Sequence, residues 1–159
     1  MPEALALLIL VPSVSLTLVA LFVAMRALFP RQINGVKSTG SDKPGRSFLL
    51  GLINVSFLSV IVAALSGGGE FLQLLAFLLF AVLVGGLAFG LAGMALLLGE
   101  RLLPESGEIR QAAWGSAVMI VASLTPFVGW LLLFPYLSFR GLGALILSLF
   151  IRPIDSPTA

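Results

Sequence analysis

The chain has 159 residues, 59% of them hydrophobic and 10% charged, with a mean hydropathy of +1.15. Soluble domains are nearer half apolar and about a quarter charged, so a water-soluble globule is excluded: too few charged side chains remain to cover its surface. The absence of Cys and His removes disulfides, thiol chemistry and thiolate or imidazole metal sites, and the net charge of +2 sits beside apolar runs, which suits anionic lipid headgroups better than nucleic acid.

A helix needs about 20 apolar residues to cross about 30 Å of hydrocarbon. Residues 4–25, 47–69 and 71–99 are uncharged for 22, 23 and 29 residues and meet that length. They are predicted as helices, because a lone strand would leave peptide groups unpaired in lipid. Stretches such as LLAFLLFAVLV (74–84) also lack the alternation of a barrel strand. The first run has no basic segment before it and exceeds the apolar core of a signal peptide, so it is expected to remain as an anchor. Between the first two runs, residues 30–46 are rich in Gly, Ser and Pro and are expected to form a flexible cytoplasmic loop. SGGGE (66–70) is a tight turn, and ERLLPESGEIR (100–110) a loop of mixed charge. Arg26, Arg31, Lys37, Lys43 and Arg46 gather at the first loop, none lies in the SGGGE turn, and Arg101 and Arg110 lie after the third run. By the positive-inside rule the N-terminus is outside, and the five cations of the first loop face inner headgroups.

The C-terminal part has two arrangements. One is a single span over about 112–136, followed by an apolar run on the outer leaflet. The other is a hairpin of residues 111–125 and 127–151, turning near Thr125, Pro126 and Phe127. The hairpin is preferred, although it places Arg140 near mid-membrane, at a cost of at least about 2.5–3.5 kcal/mol unless a polar group or cavity receives it. Trp114 and Trp130 are expected at interfaces. The predicted fold is an all-α polytopic transmembrane helix bundle, with four full spans or three spans plus a C-terminal helical hairpin. Its spans are about 4–29, 47–66, 71–99, 111–125 and 127–151 in one domain of residues 1–151, and residues 152–159 form a flexible tail.

Chemistry-bearing residues are few. The acids all lie at membrane edges or in loops, and no base, nucleophile or metal cluster is apparent, so no enzyme, no cofactor and no metal are expected. Gly85, Gly86, Gly90 and Gly93 are candidate helix-packing positions. Gly86 and Gly90 have the GxxxG spacing that lets another backbone approach, within the bundle or in a second copy. Asn54 and Arg140 are the candidate intramembrane polar residues. Asn54 is expected to bond a neighbouring helix, with a solute pathway as the sharper alternative, and Gln73 is expected to be solvated at the interface.

The segments LFPRQ (28–32), KPGRSFLLGL (43–52), LLLGERL (96–102), AAWG (112–115), LTPFVGWLLL (124–133) and GLGALILSLF (141–150) occur in that order. Together they resemble the membrane region of bacterial bactofilin-like polymer-forming cytoskeletal proteins. That resemblance implies a bacterial membrane domain acting as an anchor or scaffold, and it transfers no catalytic or ligand residue. The chain departs from the family in having no β-helical domain before the first span, and in Arg140, where the family pattern is apolar. The expected function is thus a non-enzymatic anchor, scaffold or accessory subunit in contact with membrane lipids and with another membrane protein or itself. A small transporter or channel-forming oligomer is the alternative.

Overall fold

The computed structural model describes residues 2–125 and 127–150. Pro126, the Trp130 side chain and the tail after Phe150 lie outside the described residues. Six α-helices follow in order: α1 (Pro2–Leu28), α2 (Pro30–Asp42), α3 (Pro44–Ser66), α4 (Glu70–Leu102), α5 (Glu108–Ser123) and α6 (Phe134–Phe150). A π-helical turn, Val128–Leu133, leads into α6. Four segments are long and apolar enough to cross a bilayer: Ile9–Leu28, Pro44–Ser66, Glu70–Leu102 and Leu131–Phe150. At 16 residues, α5 extends only about 24 Å and falls short of the hydrocarbon thickness.

A single span over 112–136 does not form, because α5 ends at Ser123 and the chain reverses. At the reversal Phe127 has φ 66° and ψ −62°, the strained geometry of a γ-turn. The Gly129 N–H then donates to the Thr125 carbonyl and the Leu131 N–H to that of Phe127, which keeps the backbone satisfied through the turn. The two limbs of this hairpin pack on different neighbours: α5 lies on α1 and α4, while α6 lies on α2, α3 and α4.

The stretch 30–46 departs from expectation. It is not a flexible loop: residues 30–42 form α2, which packs against α4 and α6. Pro30 and Pro44 each occupy the first turn of a helix, where the missing N–H costs nothing. They hold Phe29 and Lys43 out of helical geometry, so the chain breaks on either side of α2. Polar composition hides a stripe of Ile33, Val36 and Gly40 at i, i+3 and i+7, and all three are buried.

Helix α4 is the hub, touching every other α-helix. Its 33 residues extend about 50 Å, well beyond one hydrocarbon thickness. The two halves differ sharply. From Phe71 to Val82 nearly every side chain is exposed, whereas Ala92 through Leu97 are all buried. The protein core therefore gathers at one end, around Phe22, Ile33, Ala95, Leu96, Ala112 and Met119. The far half of the α3/α4 pair exposes Phe57, Val60, Phe77 and Phe80 and few polar side chains, as a segment surrounded by lipid should.

Candidate functional site

The polar chemistry of the molecule collects at the core end, where α2, the start of α3, the end of α4, the start of α5 and α6 meet. Arg26, near the end of α1, is 5% exposed and pairs with Glu108 in the first turn of α5. Glu108 is well placed twice over, since an acid also suits the positive end of a helix. Lys37 Nζ of α2 lies 3.1 Å from Glu100 Oε1 of α4. Gln111 is buried, and its amide donates to the Leu103 carbonyl at 3.0 Å, satisfying a carbonyl that the end of α4 leaves free. Of the five cations assigned to headgroups, Arg31, Lys43 and Arg46 are exposed. Arg26 and Lys37 are instead engaged within the bundle, because α5 and α4 bring acids to them.

Arg140 is the tenth residue of the Leu131–Phe150 span. Its Nη2 donates to the Gly40 carbonyl at 2.8 Å and its Nη1 to the Tyr136 hydroxyl at 3.1 Å, and the guanidinium carbon lies 5.7 Å from the Tyr136 ring centroid. A carbonyl near the negative end of α2 is a suitable partner for a cation in an apolar span. Arg140 thereby fastens α2 to α6. Replacement by Lys leaves one compact donor in place of a fork, and loss of a charge-assisted hydrogen bond costs about 1.5–3 kcal/mol. Arg140→Lys is accordingly expected to raise amide exchange across residues 33–42 about tenfold or more, with α5 unaffected. Equal exchange in both helices would mean that Arg140 does not hold α2.

The glycines of α4 are used mainly inside the bundle. A Cβ at Gly90 would strike the Gly141 backbone of α6, one at Gly93 would strike the Val36 side chain of α2, and one at Gly86 would meet Leu142 Cδ1 at 2.8 Å. Gly85 faces open space. Composition gave no sign of two further close crossings. Gly51 and Gly143 bring α3 and α6 into backbone contact, and Gly99 and Gly115 do the same for α4 and α5. These positions are spread over three of the spans and over α5, so no local GxxxG pair announces them.

Among the described residues Asn54 bonds no neighbouring helix. Its Nδ2 donates to the Leu50 carbonyl one turn back at 3.0 Å, satisfying the amide within α3. Gln73 is exposed and donates to the Gly68 carbonyl at 3.2 Å, closing the α3/α4 turn. Trp114 is 54% exposed on α5. Among the described residues no three acidic side chains come together in a group able to hold a metal.

Four apolar spans packed through α4 and α6 define a polytopic helical membrane protein. Comparison with family models, characterised proteins and solved structures gives no match to this chain.

Proposed function

We propose that the chain is a non-enzymatic anchor, scaffold or accessory subunit of a bacterial plasma membrane, with its N-terminus outside. The division of the molecule into two unlike ends supports this. One end is an apolar arm, the far half of α3 and α4. The other is a packed platform whose exposed rim carries Arg31, Asp42, Lys43, Arg46, Arg101 and Arg110. An arm of this kind holds a protein in lipid, and a rigid charged rim is a surface for anionic headgroups and for another membrane protein. The order of motifs that resembles the bactofilin-like membrane regions agrees with such a role. The two residues that motivate a transporter have other tasks here: Asn54 bonds its own helix, and Arg140 fastens α2.

The test is flux and partnership together. Proteoliposomes containing the purified chain are expected to show no solute or ion flux above that of protein-free vesicles, while a membrane protein co-purifies with it from the native membrane. Flux that disappears in Arg140→Leu or Asn54→Leu would replace this function with transport.

Orientation is checked separately with single cysteines, since the chain has none of its own. Ser41→Cys is expected to label only from the cytoplasmic side and Gly68→Cys only from the outside. Labelling of both from one side would remove the assigned topology.

A further inference from the structure

Helix α4 is too long for an upright crossing. From Phe71 to Gly99 it carries no charge for 29 residues, about 43 Å of helix against roughly 30 Å of hydrocarbon. A straight helix of that length fits when its axis leans by about 45° from the membrane normal, since excess apolar length is relieved by tilt.

The neighbours of α4 are stepped in the same sense. Gln111 meets Gly99 and Gly115 meets Ala95, so α5 runs antiparallel to α4 and its first charges, Glu108 and Arg110, stand level with residues 100–102. The α3/α4 turn closes at Ser66 and Glu70, so Lys43 and Arg46 at the start of α3 stand level with residues 90–93. Contacts through α6 agree to within about one turn: Gly51 meets Phe139, two residues before the Gly141 that meets Gly90. The charged edge of the bundle therefore lies about seven to ten residues, or about 10–15 Å, nearer the middle of α4 on the α3 side than on the α5 side.

These two sides are opposite. Ala95 and Gly99, which face α5, follow Gly86 and Gly90, which face α6, by nine residues, two and a half helical turns, and α3 packs on α6. Across two interaxial distances, about 20 Å, a step of about 10–15 Å is a slope of roughly 27–37°. The surface has the same asymmetry. Trp114 and Val118, level with residues 92–96, are 54% and 38% exposed on α5, while Lys43, Gly45 and Arg46 are exposed near that height on α3. An upright bundle sets one of these sides in the wrong medium.

We propose that the bundle is seated obliquely, with α4 inclined by about 40°, so that the α2/α3 corner stands in the headgroup layer while α5, at the same height along α4, is still in hydrocarbon. At about 40° the uncharged run of α4 crosses about 33 Å and that of α3, residues 47–69, about 26 Å, on either side of the hydrocarbon thickness. Lys43 and Arg46 then meet lipid phosphates, whereas α5 offers Trp114 and Val118 to acyl chains. This goes beyond the anchor role, which needs only that the chain span the bilayer, and it holds whichever side the N-terminus faces.

The experiment uses the full chain reconstituted in dioleoylphosphatidylcholine bilayers containing dioleoylphosphatidylglycerol. Solid-state NMR of isotope-labelled leucine in oriented samples is expected to give α4 a tilt of about 30–50°, against the roughly 20° average of membrane helices. Single spin labels on Gly45→Cys and Val118→Cys read the slope directly, because the chain has no cysteine of its own and the two positions share one height on α4. A Cβ at Gly45 meets nothing within 4 Å, so a label is accommodated there. From relative accessibility to oxygen and to a water-soluble nickel chelate, the label at position 118 is expected about 10 Å or more deeper than the label at position 45. An α4 tilt below about 20°, equal depths for the two labels, or a label at position 118 closed to both reagents would each overturn the proposal. Failure of the anchor reading shows instead as solute flux and leaves both measurements unchanged.

Discussion

Gly115→Leu and Gly51→Leu are expected to destabilise the bundle by about 3 kcal/mol or more, the upper end of overpacking costs, while Gly85→Leu changes stability by no more than about 0.5 kcal/mol. The contrast follows from what stands behind each glycine. A side chain at Gly115 would run into the Ala95 carbonyl of α4, and one at Gly51 into the Phe139 carbonyl of α6. Backbone cannot rotate aside, so the helices must separate. At Gly85 nothing lies within 4 Å of the added carbon. Gly86 should fall between, because Leu142 Cδ1 is the end of a flexible side chain. Thermal melts of the purified variants in detergent measure all four. Should Gly85→Leu prove as harmful as Gly115→Leu, the open side of α4 would have to face a second molecule, and self-association through that helix would return as the working explanation.

Glu108→Leu is the second large effect. It strands a guanidinium whose side chain is 6% exposed, and removing one partner of a buried pair costs about 3–5 kcal/mol. Because Glu108 itself is half exposed, water can relieve part of the loss, and the lower end of that range is expected. Glu108→Gln should cost less, since its amide oxygen still accepts. The double variant Arg26→Met with Glu108→Leu should recover most of the stability, because the penalty lies in the stranded charge more than in the lost attraction. The Lys37–Glu100 pair is a control. Its side chains are 21% and 45% exposed, and breaking it should cost no more than about 1 kcal/mol. A Glu108→Leu variant as mild as Glu100→Leu would mean that Arg26 finds another acceptor.

The spans were legible because hydropathy reports a property of single residues, summed over a length that the bilayer fixes. The reversal near Thr125 was legible for a similar reason: Pro126 and a run too short to cross both act locally. Helix α2 was not. Residues 30–46 read as a linker because they are rich in Gly, Ser and Pro, and the three residues that fix the helix, Ile33, Val36 and Gly40, matter only once α4 and α6 are there to cover them. The same distinction divides the candidate site. The α4 glycines stood out by clustering, and three of the four do contact neighbouring helices, but Gly51, Gly99, Gly115 and Gly143 are isolated in sequence and gain their meaning from a partner far along the chain. Arg26 was assigned to headgroups by proximity to a basic loop, and only the fold of α5 back onto α1 brings Glu108 to it. Asn54 shows the converse error, since a polar side chain within a span can be satisfied by its own helix.

The bond from Arg140 to the Gly40 carbonyl joins residues 100 positions apart, and α6 also covers Val36. A ribosome releases Arg140 100 residues after Gly40, so the nascent chain must extend through α3, α4 and α5 before α6 can close on the amphipathic segment. Closure of so distant a contact is slow relative to local helix formation. A polypeptide halted before α6 would still have α4 to cover Ile33 and one side of Val36, but the side of α2 that meets Ala144 and Arg140 would stay open, leaving the re-entering segment half-seated.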